Sequence, residues 1–163
     1  MRLAFLFFLT LYDTLIETII EALSYRGRLQ AEVKKKENMK EIVDNNELER
    51  WTFGINTNQL IELVLEGKKT ATTYLYGDDE EYKENDISIL TDINGNDVCL
   101  IQTKKIIITT FKNITWDLAF LEGENNSLDD WRKEHYNFFK KITPSFNKDT
   151  KVVFEIFEMI DKL

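Results

Sequence analysis

Hydrophobic and polar positions along the chain fall into blocks of two different periods. In residues 11–23, Leu11, Leu15, Ile16, Ile19, Ile20 and Leu23 recur at helical spacing, with Asp13, Glu17 and Glu21 on another face. This predicts an amphipathic helix. Glu41 to Trp51 also has a short helical look, ending at Phe53-Gly54. Asn56 to Leu65 places Leu60, Leu63 and Val64 on one side, offers Asn56, Thr57 or Asn58 as a cap, and is followed by Gly67, a common helix stop. Beyond Gly67 the period shortens. Lys68 to Leu75 is threonine-rich and alternating, Asp86 to Thr91 and Val98 to Phe111 read as strands, and Asp92-Ile93-Asn94-Gly95-Asn96 reads as the hairpin turn between them.

The helical period then returns. Thr115 can cap a short helix through Phe120, and Ser127 can cap a longer one that carries Asp129 and Asp130 in its first turn, at the positive end of the helix dipole. Leu128, Trp131, His135, Phe138 and Phe139 make one buried stripe of that helix, which Thr143-Pro144 ends. Lys151 to Met159 closes the chain as a strand. Helix, strands, helices and strand in this order predict an α+β domain whose five or six strands curl into a small barrel flanked by helices.

Composition narrows the chemistry. The chain has 163 residues, 43% of them hydrophobic, enough for one domain with a real core. Its single cysteine, Cys99, and single histidine, His135, exclude a disulfide, a thiolate zinc site and a histidine-clustered metal site, and the scarcity of cysteine fits a reducing, cytoplasmic setting. No metal or other cofactor is expected. Reactive groups must come from Lys, Thr, Ser, Asp, Glu or Tyr. The net charge of −8 argues against a long, sequence-blind grip on double-stranded DNA, and leaves a small ligand or a short RNA in a locally basic cleft as the expected partner. Oligomeric state is not legible in the sequence.

Residues 1–38 differ in composition from the remainder of the chain. Acidic interruptions at Asp13, Glu17 and Glu21 leave the apolar run well short of a transmembrane span, and no membrane partner is expected. A signal peptide lacks its cleavage site. Lys35-Lys36-Glu37-Asn38-Met39 can also be encoded as a purine-rich bacterial ribosome-binding sequence followed by a start codon, which makes residues 1–38 either upstream sequence or a docking helix, with the domain at 39–163. Without them the chain carries 15 basic and 24 acidic side chains, so the acidic balance stands.

Two segments concentrate reactive groups. In Gly67-Lys68-Lys69-Thr70-Ala71-Thr72, Lys69 and Thr72 meet only if the backbone turns at the strand start; a neutral lysine could then take the threonine proton. In Glu122-Gly123-Glu124 a carboxylate beside an ammonium makes an ion pair or an acid/base partner. From spacing alone, the same residues more often form a solvated turn and exposed loop acids. His135 reads as a packed, hydrogen-bonded histidine, and Cys99 as a small core residue.

Taken together, Trp51-x-Phe53-Gly54, Leu63-Val64-Leu65-Glu66-Gly67-Lys68-Lys69-Thr70-Ala71-Thr72, Ala119-x-x-Glu122-Gly123-Glu124 and Ser127-Leu128-x-x-Trp131-Arg132-x-x-His135-x-x-Phe138-Phe139 resemble the ASCH domain family, relatives of the PUA fold. The resemblance covers about Trp51 to Met159. It implies a PUA-like β-barrel flanked by helices, with a cleft lined by the Gly-x-Lys-x-x-Thr and Glu-Gly-Glu segments. Some members are similar to amidohydrolases that deacetylate N4-acetylcytidine, and others are linked to RNA cleavage or RNA binding. Carried over by position, Lys69 is the base, Thr72 the nucleophile and Glu124 the glutamate, with Glu122 its close alternative. Lys68, Glu122, Asn125 and Arg132 are expected to bind substrate, a modified nucleoside or short RNA. The chain departs from many relatives in having Asn125-Asn126 after the second glutamate, where they have Gly-Asp.

Overall fold

The computed structural model of the chain describes residues 2–44, 48–78 and 80–163. It divides into two compact units, Met1–Glu47 and Leu48–Leu163. In the first, α1 (Arg2–Asp44) is one helix that runs through Met39 without a break. Its described side chains Ile16, Ile19, Ile20 and Leu23 are exposed. Leu11 and Leu15, which belong to the same predicted stripe, lie outside the residues whose side chains are described. Among the described residues no helix is long and apolar enough to cross a membrane.

The second unit is built on β1 (Glu49–Trp51), α2 (Thr57–Leu65), β2 (Ala71–Leu75), β3 (Ile87–Thr91), β4 (Asp97–Thr110), α3 (Trp116–Ala119), α4 (Leu128–Ile142) and β5 (Lys151–Lys162). Among the described residues the strands form one curled five-stranded sheet, in the order β1-β3-β4-β5-β2, with helices packed on it. This is the expected α+β, PUA-like arrangement. β3, β4 and β5 are antiparallel neighbours, and β2 is an edge strand paired antiparallel with β5. The Asn-Gly turn forms as the pattern predicts. Asp92 accepts the Gly95 amide through its carbonyl and the Asn94 and Asn96 amides through its carboxylate.

One element differs from the sequence reading. Glu49–Trp51 is a strand parallel to β3 and not the end of a helix. Three residues are too few to show alternation, and what holds them is tertiary: Arg50 makes a two-pronged bond to Asp97 at 3.0 and 3.1 Å, and the Trp51 indole donates to Ser88 at 3.0 Å. β4 is long enough to serve both sides of the curl because irregular register at Leu100/Ile101 and Thr103/Lys105 bends it.

Two apolar clusters fill the unit. Ala71, Phe111, Ile114, Ala119, Trp131, Phe139, Phe146, Val152 and Phe154 lie between sheet and α4. Phe53, Leu60, Ile61, Val64, Leu90, Cys99, Ile101 and Phe157 lie under α2. Cys99 is wholly buried there, and burial pushes its thiol up to about 11, as suits a core residue. The three sequence-predicted caps separate: α2 begins after Asn56, whose side chain makes no cap bond. Ser127 Oγ accepts the Asp130 amide at 3.2 Å, whereas Thr115 makes no side-chain cap bond. Ser127→Ala is therefore expected to lower unfolding free energy by about 1 kcal/mol, and Thr115→Ala to leave it nearly unchanged, in urea denaturation followed by circular dichroism.

Candidate active site

The site starts from how α2 ends. Gly67 takes a left-handed conformation (φ 70°), and the amides of Gly67, Lys68 and Lys69 turn back onto the carbonyls of Val64 and Leu63. The chain then enters β2 between two neighbours: the Thr70 amide donates to the Leu121 carbonyl at 2.8 Å, and the Thr70 carbonyl accepts from Phe157 at 2.9 Å. Lys69, on the inner side of this segment, is 1% exposed. Its Nζ lies 5.2 Å from the centroid of the Phe53 ring.

Burial of an ammonium is costly unless its charge is met. Lys69 donates to Glu122 Oε2 at 3.1 Å and to Glu124 Oε1. Both carboxylates reach it because Gly123 between them is left-handed (φ 69°) and presses against the Lys68 backbone. A Cβ there would sit 2.5 Å from the Lys68 carbonyl oxygen. The Glu-Gly-Glu spacing is thus a packing requirement, since a side chain at the middle position would push both acids off the lysine.

The two acids occupy different environments. Glu122 is 1% exposed and its oxygens are fully used: Oε1 accepts from Thr73 at 2.7 Å and from the Trp131 indole at 3.0 Å, and Oε2 faces Lys69 and, at 3.3 Å, His135 Nε2. Burial alone would raise this carboxyl, but Lys69, His135 and the Thr73 hydroxyl outweigh it and hold Glu122 down at about 2. Glu124 is 16% exposed. Among the described residues only Lys69 donates to it, which leaves acceptor positions open.

His135 stacks on Trp131, with ring centroids 4.1 Å apart. Its Nδ1 is 3.1 Å from the Trp131 carbonyl and its Nε2 faces Glu122, so both nitrogens meet acceptors and the doubly protonated ring satisfies both. Burial lowers the imidazole, but the hydrogen bond and charge of Glu122 prevail and raise it above the ordinary value. The histidine is packed, as the sequence suggests, and it is also wired to the buried acid.

Lys69, Glu122 and Glu124 thus come together from two distant stretches. Thr72 does not join them. Side chains alternate along β2, and the hydroxyl in the cluster is that of Thr73. Thr72 points to the opposite side, paired across to Glu155, and among the described residues it makes no hydrogen bond to Lys69 or Glu124. Glu155 accepts from Thr103 at 2.6 Å and from Tyr74 at 3.1 Å on that side, and burial, then Glu155, pushes the Tyr74 phenol far up.

Lys68 is exposed and paired with Glu66. Asn125 donates to Glu134 at 2.8 Å, and Arg132 donates to the carbonyls of Lys112 and Ile114, so neither belongs to the Lys69 cluster. Sequence reasoning missed Thr73 and Trp131 as cluster members; the available signal was strand parity from Ala71 and the buried stripe that already held Trp131. Among the described residues no three of His, Cys, Asp and Glu come together in a way that could hold a metal ion.

Comparison with known proteins agrees with this outline. The model of the ASCH domain matches residues 49–161. The chain belongs to the ASCH domain family. Among solved structures, the ASCH domain from Lactobacillus crispatus JV V101 is 24% identical over 69% of this chain and 79% of its own, with a TM-score of 0.64. A protein from Enterococcus faecalis V583 is 27% identical over 78% of this chain and 93% of its own, with a TM-score of 0.66. No curated protein matches the chain. The ASCH match begins within β1, so it takes in the short parallel strand that tertiary pairing alone stabilises.

Two outcomes are expected for this ASCH unit. Gly123→Ala, with its Cβ against backbone, lowers stability by roughly 3 kcal/mol or more, while Gly67→Ala, whose Cβ meets nothing within 4 Å, costs about 1–2 kcal/mol for the left-handed backbone; urea denaturation reads both. The stabilisation from His135 is fully present below the unfolded value of 6.5 and is lost as pH rises through the higher folded value. The melting temperature of the wild type above that of His135→Asn is therefore largest below pH 6.5 and narrows as pH rises, in thermal melts across the range.

Proposed function

We propose that the Glu124 side of this cluster binds a modified nucleoside, free or in a short RNA, and hydrolyses an amide on its base, N4-acetylcytidine being the substrate that the family resemblance suggests. The observation that carries the reading is the unequal state of the two acids. Glu122 is saturated by four donors and serves as the anchor, while Glu124 shares the same ammonium and still has acceptor positions open. An ammonium buried to 1% exposure and held against an acid that is partly open to solvent suits amide hydrolysis.

In this reading Glu124 takes a proton from a water molecule, the hydroxide adds to the amide carbonyl, and the Lys69 ammonium stabilises the oxyanion. The C–N bond then breaks as Glu124 returns the proton to the departing amine, leaving acetate and cytidine. In the two-step version that the resemblance implies, the Thr72 hydroxyl adds instead of water, and an acyl-threonine is hydrolysed afterwards. The resting geometry gives Thr72 the Glu155 carboxylate across the strand pair as its neighbour and not the Lys69 amine.

One observation favours a second reading, a non-catalytic RNA-binding module or a ribonuclease-type ASCH protein. Lys69 and Glu122, each 1% exposed, compensate each other internally as a structural ion pair does.

Acetate release from N4-acetylcytidine separates the two. The near-isosteric Glu124→Gln is expected to cut turnover by about 100-fold or more with its melting temperature retained, and Lys69→Ala to cut it at least as far. Loss of turnover in Thr72→Ala selects the acyl-threonine route, and its retention selects water. A wild-type protein that releases no acetate yet binds RNA overturns the hydrolase reading.

A further inference from the structure

Helix α4 has a second flank. Its inner stripe carries Trp131, His135 and Phe139, while Asp129, Arg132, Lys133, Tyr136 and Asn137 turn toward a surface pocket of about 460 Å³. Phe111, Lys112 and Lys148 close the other sides. The pocket shares no residue with the Lys69 cluster.

Its chemistry runs against the rest of the chain. In a protein of net charge −8, the lining holds four cationic side chains, Lys112, Arg132, Lys133 and Lys148, and one carboxylate, Asp129. Backbone braces this side of the unit and orients one of the four cations. The Lys112 amide donates to the Lys148 carbonyl at 2.9 Å, which ties the two loops together. Arg132 Nη2 donates to the carbonyls of Lys112 and Ile114, both at 3.2 Å, so its guanidinium is oriented without a carboxylate partner among the described residues. Its Nε is buried and makes no hydrogen bond. An arginine fixed in this way keeps its charge uncancelled and has donors to spare. Lys112 pairs with Asp149, while Lys133 and Lys148 have no ion pair among the described residues. The wall between them is aromatic: Tyr136 and Phe111, whose rings lie 6.2 Å apart.

Several fixed and mobile cations around one concavity, with few acids to cancel them, focus a positive field on an anion. The planar donor fork of arginine suits phosphoryl oxygens in particular. The partly exposed Tyr136 ring beside them, backed by the buried Phe111, offers a face for a sugar or base. We propose that this pocket is a second binding site of the ASCH unit and that it takes a phosphate ester, the phosphate of a nucleotide or of an RNA backbone. The site does not depend on the hydrolytic reading, since it needs neither Lys69 nor turnover.

The test is a titration of the full chain, labelled with nitrogen-15, against inorganic phosphate, uridine 5′-monophosphate and hexauridylate. Amide shifts are expected at Lys112, Arg132, Lys133, Tyr136 and Lys148 with all three probes. The double variant Lys133→Glu, Lys148→Glu changes only exposed side chains, and it is expected to keep its melting temperature and weaken binding at least tenfold. Asp129→Asn removes the lone acid and is expected to tighten it. Arg132→Gln is expected to abolish the shifts. Equal affinity for the monophosphate and the hexamer assigns the site to a small phosphate ester; tighter hexamer binding that falls with salt at a log–log slope of about −2, as roughly three neutralised phosphates require, assigns it to RNA. Glu124→Gln protein, which alters the rim acid of the other site and keeps the buried ion pair, is expected to bind as the wild type does. The proposal is overturned by shifts confined to the Lys69–Glu124 segments, by loss of binding in Glu124→Gln, by an unaltered affinity in the double variant, or by no binding of any probe at millimolar concentration.

Discussion

A carboxylate taken out of water must find its hydration shell again inside the protein, and Glu122 does so with donors from three other parts of the chain. Lys69 arrives from the turn after α2, Thr73 from the edge strand, and Trp131 and His135 from α4. Each of these donors buries a costly group only because Glu122 is there to receive it. The carboxylate is therefore a joint between the sheet and the helix that covers it. Removing one partner leaves a buried charge uncompensated, which is far worse than never having built the pair.

The joint constrains the loop that carries it. Glu122 has to point inward and Glu124 has to reach the same ammonium two residues later, while the backbone between them passes hard against Lys68. Only glycine fits that passage, and its left-handed conformation lets both acids converge. The same geometry divides the labour between them. The acid held from all sides is an anchor, and the acid at the rim is the one a ligand can reach. The histidine belongs with the anchor: its charge, favoured by two acceptors, adds to the network that holds Glu122 ionised.

Overall charge is a poor guide to such a molecule. An excess of acids spread over its surface coexists with a lysine neutralised in the interior and with a basic concavity on the far flank of α4. What a ligand feels is the local field, and that depends on which cations have lost their counter-charges to geometry. Arg132, held by carbonyls, retains its charge, whereas Lys68, only one residue from the buried lysine, is paired with Glu66 at the surface.

Much of the fold was legible from pattern alone, because burial imposes a period on each long element. The helix after Asn56, the Asn-Gly hairpin, the Ser127 cap, the apolar stripe through Trp131 and the closing strand all stand where periodicity and turn chemistry put them. The motif order also pointed to the family, and to Lys69, Thr72 and Glu124, with Glu122 as the alternative acid, as residues that meet; the lysine and both acids do, and Thr72 does not. The three-residue strand at Glu49–Trp51 was not legible, since its stability comes from pairing with β3 and from bonds of Arg50 and Trp51 to the distant Asp97 and Ser88, not from a local pattern. Nor was the threonine that faces the cluster, because motif spacing does not say on which residue the strand begins; once β2 starts at Ala71, alternation turns Thr73 inward and Thr72 away. Local sequence determined which segments would be helix, strand or turn, because those preferences act over a few residues. Which side chains share a carboxylate, and which cations are left to face solvent together, was decided only when distant segments packed, because charge compensation is a property of neighbours in space.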